Sequence, residues 1–178
     1  NYLSQQRPFL LCVATLETRK NYDLLLRALT PDIAKNIDLV TVGKVGFGGE
    51  SVYEQLQSLR HQYLGGLDLP QATPQDLQAL YSRCLGLVLV SKDEGFGIPI
   101  LEALYFGKPI IASNLPSIRE IAGSQCRYVA PVGGENDLQS EITRLISSPW
   151  TQSDCMQSKI RASQFTWENT AKKTIDVY

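Results

Sequence analysis

Glu94-Gly95-Phe96-Gly97-Ile98-Pro99-Ile100-Leu101-Glu102 places two carboxylates eight positions apart, with a glycine-bracketed turn and a helix start between them. Carboxylates accept hydrogen bonds from vicinal hydroxyls, while free N–H groups at a helix start donate to phosphate oxygens. The pairing suits a ligand that is part phosphate and part polyol, as a nucleotide sugar is. Phe96, Gly97 and Ile98 supply the backbone N–H groups, with the helix dipole behind them. Gly95 and Gly97 allow close approach and unusual dihedrals. Glu102 falls about one turn inside the helix, roughly 5 Å along its axis, and its side chain leans back toward the helix start. Two glutamates that merely complement the dipole or face solvent would show the same spacing, so spacing alone does not choose.

The elements around these residues fix their place. Gly86-Leu87-Val88-Leu89-Val90-Ser91 is a short apolar run that reads as a buried strand. Pro99 fits a first helical turn, and Gly107 before Lys108-Pro109 is a stop signal. The loop therefore lies at the carboxyl end of a strand, where open α/β sheets bind ligands. Strands are expected at Phe9–Thr15, Ile37–Val42, Gln62–Leu64, Leu85–Val90, Pro109–Ala112 and Cys126–Val129. Helices are expected at Tyr22–Leu29, Ser51–Arg60, Pro74–Cys84, Pro99–Phe106, Ser117–Ile121 and Asp137–Ser147. Two more, near Asp154–Ser163 and from Thr166 to Val177, close the chain. Alternation of this kind predicts an α/β fold, a Rossmann-like three-layer α/β/α sandwich with a mainly parallel sheet of about six strands.

Composition narrows the function classes. With 178 residues the chain suffices for one sizeable core. Its 43% hydrophobic and 20% charged residues are ordinary for a soluble globular domain. A net charge of −1 argues against a general nucleic-acid or anionic-membrane surface. No apolar run approaches the ~20 residues of a membrane-spanning helix, and Asn1–Arg7 lacks the layout of a secretion signal. Cys12, Cys84, Cys126 and Cys155 are widely spaced and include no Cys-x-x-Cys pair. That disfavours a disulfide framework or a zinc site and favours a reducing cytoplasm. His61 stands alone and is read as a surface or structural residue. No G-x-G-x-x-G follows the first strand, which disfavours a plain NAD-binding domain.

The stretch from Ser91 through Glu94-Gly95-Phe96-Gly97-Ile98-Pro99-Ile100-Leu101-Glu102 to Gly107-Lys108-Pro109-Ile110-Ile111-Ala112-Ser113 resembles, over more than twenty positions, the E-x7-E signature of group-1 retaining glycosyltransferases of the GT-B fold. Val13-Ala14-Thr15-Leu16-Glu17-Thr18-Arg19-Lys20-Asn21 resembles that family's first strand and basic loop, often written G-T-L-E-P-R-K-N. Ile37–Gly49, Tyr63–Leu67 with Asp76–Tyr81, and Phe165–Ala171 resemble its second strand, its third strand with the helix after it, and its final helix entry. The resemblance covers nearly the whole chain in the family's order and points to the carboxyl-terminal, donor-binding half of the fold. It implies one Rossmann-like nucleotide-sugar-binding domain over 1–178, with carboxyl-terminal helices over 151–178 and the amino-terminal acceptor domain absent.

Roles follow from the resemblance position by position. Arg19 and Lys20 resemble the basic pair that stabilises negative charge on the departing diphosphate; many members carry a further arginine where this chain has Thr15. Glu94 resembles the acid near the transferred sugar, and Glu102 the acceptor of the ribose hydroxyls. Thr15, Gly43, Gly46, Lys44 and the Gly66–Leu67 turn are expected to line the donor pocket, Lys44 either on phosphate or simply exposed. The implied reaction is metal-independent transfer of a hexose, with retention, from a nucleoside diphosphate sugar to an acceptor hydroxyl in polysaccharide or glycolipid synthesis. Similar chains are often mannosyltransferases, so GDP-mannose leads and UDP-hexoses follow. No cofactor is implied, and membrane contact would come only through the absent domain or a lipid-linked acceptor. The expected place is the cytoplasm, or the inner membrane face as a peripheral protein. Alternatives are a nucleotide-sugar epimerase of related fold and a nucleotide-binding-only domain.

Overall fold

The structure is a computed structural model that describes residues 7–148 and 150–176. Six strands form one all-parallel sheet: β1 Phe9–Val13, β2 Asp38–Val42, β3 Gly66–Leu69, β4 Gly86–Leu89, β5 Ile110–Ser113 and β6 Arg127–Val129. Their spatial order is β3-β2-β1-β4-β5-β6. The chain therefore fills the sheet outward from β1 in one direction, then returns to the other side of β1. The resulting switch point lies between β1 and β4, whose following chain segments lead to helices on opposite faces of the sheet, the place where open α/β sheets offer a ligand crevice.

Side chains alternate between the two faces because a strand's period is two. Leu10 and Cys12 of β1, with Leu39 and Val88, join one apolar layer. It is covered by α1 (Tyr22–Ala28), α2 (Pro31–Ala34), α3 (Glu50–Gln62) and α7 (Glu135–Ser147). Phe9 and Leu11, with Val40, Leu87 and Leu89, join the other. That layer is covered by α4 (Pro74–Arg83), α5 (Ile98–Tyr105), α6 (Pro116–Ala122) and α8 (Gln152–Ala162). The final helix, α9 (Trp167–Ile175), leaves Trp167 and Ile175 exposed. The end of the expected Thr166–Val177 helix, at Val177, lies outside the described residues.

The expected strand at Gln62–Leu64 is corrected. Helix α3 runs to Gln62, and the N–H groups of Tyr63 and Leu64 both donate back to the Leu59 carbonyl, closing the helix. Leu64 is buried as a strand residue would be, but the strand itself starts at Gly66. The short helix α2, with Pro31 in its first turn, had no counterpart among the expected elements. Helix α4 opens on a reciprocal capping box: Asp76 N–H donates to Thr73 Oγ1 at 3.1 Å, and Thr73 N–H to Asp76 Oδ2 at 2.9 Å.

Candidate functional site

The loop after β1 turns tightly. Thr18–Lys20 form one 3₁₀ turn, and Asn21 follows with φ 57°, the one described non-glycine residue in the left-handed region. Its side chain is buried, and its amide donates to Val90 O and Pro131 O, both at 3.0 Å. One side chain thus ties together the loops after β1, β4 and β6. Two more bonds close the seam: Lys92 N–H to Arg19 O at 2.8 Å, and Arg19 Nη1 to Asp93 O at 2.9 Å.

Lys20 is delivered to Glu94 by this lacing. Its ammonium donates to Glu94 Oε2 at 2.7 Å across 74 positions of sequence. Buried Ser91 donates to the same oxygen at 3.1 Å, and Ser117 donates to the Glu94 carbonyl at 2.6 Å. Arg19 is more exposed and pairs with Glu17 at 2.8 Å.

Helix α5 starts beyond Gly97, whose φ of 82° is one that L side chains resist. A Cβ there would also stand 3.3 Å from Ile100 Cγ1. Gly95 is different: it has no positive φ, and a Cβ on it would meet nothing within 4 Å. The expected unusual dihedral therefore belongs to Gly97, and Gly95 opens onto free space. Among the described residues, no hydrogen bond is made by the N–H groups of Phe96, Gly97 or Ile98. They lie at the positive end of a helix, where an anion is favoured.

Glu102, the fifth residue of α5, is held by an unexpected partner. Tyr81 donates to its Oε2 at 2.7 Å, while the tyrosine ring is buried and stacks on Phe106 at a centroid distance of 5.5 Å. Burial, and then the Glu102 charge, push the Tyr81 hydroxyl far above its ordinary pKa, so it remains a donor. Oε1 of Glu102 has no partner among the described residues.

Thr15, Gly43 and Lys44 come together at the carboxyl ends of β1 and β2. Leu16 N–H donates to Lys44 O, and Gly46 N–H to Leu16 O, both at 2.9 Å. Gly43 has φ 153°, and a Cβ on it would lie 2.1 Å from the Ala14 carbonyl oxygen. Thr15 and Lys44 are both exposed. Gly66 and Leu67 do not join them. They open β3 and pair with Leu39 and Val40 of β2, toward the amino ends of the strands. The carboxyl end of β3 is Leu69, beside Val42. A cleft of 770 Å³ also lies elsewhere, among Gln78, Tyr105, Lys108 and Lys159, and contains none of Lys20, Glu94 and Glu102. The convergent polar groups that mark a binding site lie outside this cleft.

Sequence reasoning thus brought the Arg19–Lys20 turn, Glu94 and the start of α5 to one crevice and missed Asn21, Ser91, Ser117 and Tyr81 as their supports. Residues 2–162 match the family described as glycosyl transferases group 1. The chain belongs to the group 1 glycosyltransferases. This glycosyltransferase is 29% identical over 181 residues to O-antigen chain mannosyltransferase B of Escherichia coli, covering 96% of its own length and 45% of the relative. It is 31% identical over 183 residues to serotype-specific mannosyltransferase WbdA of Escherichia coli, covering 94% of its own length and 21% of the relative. The chain thus spans less than half of either relative. Among solved structures, sucrose-phosphate synthase from Thermosynechococcus elongatus superposes with a TM-score of 0.81 at 25% identity, over 97% of this chain and 45% of that one. The pneumococcal O-GlcNAc transferase GtfA in complex with UDP and GlcNAc shares the fold, with a TM-score of 0.75 at 19% identity over 97% and 37% of the two chains. The Rossmann-like sheet of this glycosyltransferase is that of the GT-B enzymes.

Proposed function

We propose that this group 1 glycosyltransferase binds a nucleoside diphosphate hexose across the β1–β4 crevice, as the donor domain for retaining transfer to an acceptor hydroxyl. The observation that carries the reading is the meeting, at the switch point, of Lys20 from the β1 loop with Glu94 of the β4 loop, beside the open N–H groups at the start of α5. Lys20, with Arg19 beside it, faces the charge that grows on the diphosphate as the sugar–oxygen bond breaks and its electron pair stays on phosphate. Phe96, Gly97 and Ile98 donate to phosphate and sugar oxygens, Glu94 accepts from the sugar, and Glu102 accepts from the ribose hydroxyls through Oε1. Thr15, Gly43 and Lys44 border the same crevice. The reading assigns the leaving-group charge to these cations and uses no metal or cofactor.

The mannosyltransferase names of the Escherichia coli relatives support a mannosyl donor; the reading takes GDP-mannose first and UDP-hexoses next, in polysaccharide assembly. Val45, Phe47, Phe96 and Val132 on the loops after the strands, with Ile98 at the start of α5, are exposed, an apolar rim fit to face an acceptor-binding domain. The chain alone is expected to bind donor and to transfer poorly, on the cytoplasmic side of any lipid-linked acceptor.

Thermal unfolding with GDP, UDP, ADP and dTDP tests the donor site. A ligand at 100 times its Kd adds about 2.7 kcal/mol, about 5 °C or more for a domain of this size. One nucleotide should raise the midpoint, and Glu102→Gln, which keeps an acceptor for Tyr81, should lose most of that rise. No rise with any of the four overturns the reading. Turnover by this chain equal to that of a two-domain version overturns the expectation of poor transfer.

A further inference from the structure

Lys20 and Glu94 belong to different parts of the proposed donor, the diphosphate and the sugar, yet the structure joins them at 2.7 Å. Their side chains retain only 12% and 11% exposure. Glu94 is fixed: Ser91 holds the carboxylate oxygen that Lys20 uses, and Ser117 holds the backbone. The lysine backbone is fixed next to Asn21, but its four-carbon stem has several rotatable bonds through which the ammonium can be redirected. A charge so nearly buried is costly to leave without a counter-ion, so each group serves as the other's.

We infer that the Lys20–Glu94 pair is a latch that a diphosphate must open and that a sugar keeps open. This rests on the donor-site reading. A diphosphate oxygen drawing the ammonium toward itself strips Glu94 of its partner. In a full donor, a sugar hydroxyl then donates to the freed carboxylate and restores its hydrogen bond. In the spent nucleoside diphosphate only the Ser91 hydroxyl remains on that carboxylate, so Glu94 competes to recapture Lys20. The latch therefore discriminates against the product in favour of the donor, and the departure of the sugar promotes the departure of the nucleotide. No proton or covalent bond changes hands: Lys20 exchanges a carboxylate for a phosphate oxygen, and Glu94 exchanges an ammonium for a hydroxyl donor.

Calorimetric titration of the chain with GDP and UDP, and with GDP-mannose and UDP-glucose, tests this on four proteins: unaltered, Glu94→Gln, Lys20→Ala and the double variant. Glu94→Gln should bind the nucleoside diphosphate about tenfold tighter, equivalent to about 1.4 kcal/mol, and the nucleotide sugar no tighter than before. In the Lys20→Ala background the same change at Glu94 should leave diphosphate affinity unmoved. If Glu94→Gln does not fold, Glu94→Asp keeps the charge, shortens the reach and should give a smaller tightening of a few-fold. Unchanged or weaker diphosphate binding in the folded variant overturns the latch, as does tightening that persists without Lys20. If the unaltered chain and Glu94→Gln both fail to bind any of the four ligands, the donor-site reading itself is overturned.

Discussion

Asn21 offers the sharpest test of how the crevice is built, because its backbone and its side chain do separate jobs. Its amide makes two hydrogen bonds, to Val90 O and Pro131 O at 3.0 Å each, in a buried setting. Each bond contributes about 1 kcal/mol net, so Asn21→Ala forfeits about 2 kcal/mol from the side chain. Alanine also tolerates the φ of 57° less well, at a cost of roughly 1 kcal/mol. The expected loss is about 3 kcal/mol, near 6–12 °C in Tm for a chain of this length. Asn21→Gly loses the same two bonds but suits the left-handed backbone. Allowing for the greater freedom of unfolded glycine, it should be more stable than Asn21→Ala by about 0.5–1 kcal/mol. Urea unfolding of the three proteins, followed by circular dichroism and with matching m-values, gives the differences directly. A loss below about 1 kcal/mol for Asn21→Ala would refute the side-chain account. Equal stability of the alanine and glycine variants would refute the backbone account.

Other substitutions separate steric need from open space. Gly43→Ala drives a Cβ to 2.1 Å from a carbonyl oxygen at φ 153° and should cost more than about 3 kcal/mol by urea unfolding, whereas Gly95→Ala, which meets nothing within 4 Å, should cost under about 0.5 kcal/mol. Tyr81→Phe keeps the stack on Phe106 and removes the donor to Glu102. It should lower stability by about 0.5–1.5 kcal/mol and weaken nucleoside diphosphate binding several-fold in calorimetry. Asp68 is half-buried, which alone would raise its pKa, but the Arg60 guanidinium and the Thr41 and Gln57 hydrogen bonds outweigh this and hold it below its ordinary value. A depressed folded pKa stabilises above the unfolded value and loses that contribution as pH falls through the folded one. Unfolding midpoints should therefore drop below about pH 4, and Asp68→Asn should flatten that drop.

Local pattern was enough for much of the fold. Apolar runs such as Leu87-Val88-Leu89 have one reading, and alternation of strand and helix signals implies a parallel sheet. Strand β3 escaped because Gly66-Leu67-Asp68-Leu69 carries a glycine and a charge. Its Asp68 becomes tolerable through Arg60 and Gln57 on the preceding helix and Thr41 on the neighbouring strand. Tyr63-Leu64, just before it, is apolar enough to imitate a strand while serving as a helix end. Assigning β3 too early also carried Gly66 and Leu67 to the wrong end of the sheet. In the crevice, Arg19, Lys20, Glu94 and Glu102 were legible from their motifs. Their supports were not, because Asn21 finds its acceptors 69 and 110 positions away and Tyr81 reaches Glu102 across 21. No local periodicity encodes such distances.

The lacing of the crevice across the β1–β4 seam has a kinetic consequence. The chain from β1 to β3 closes its own parallel pairs, but β4 must return past them to reach the free edge of β1. Contacts of this separation are slow to form, since loop-closure entropy precedes any gain from them. If the seam closes after the rate-limiting barrier, no binding surface exists on the folding side of that barrier. A nucleotide bridging the two loops should then slow unfolding and leave the refolding rate unchanged. Stopped-flow chevrons with and without nucleotide would read the order of assembly, with a ligand-dependent refolding limb placing the seam in the nucleus instead.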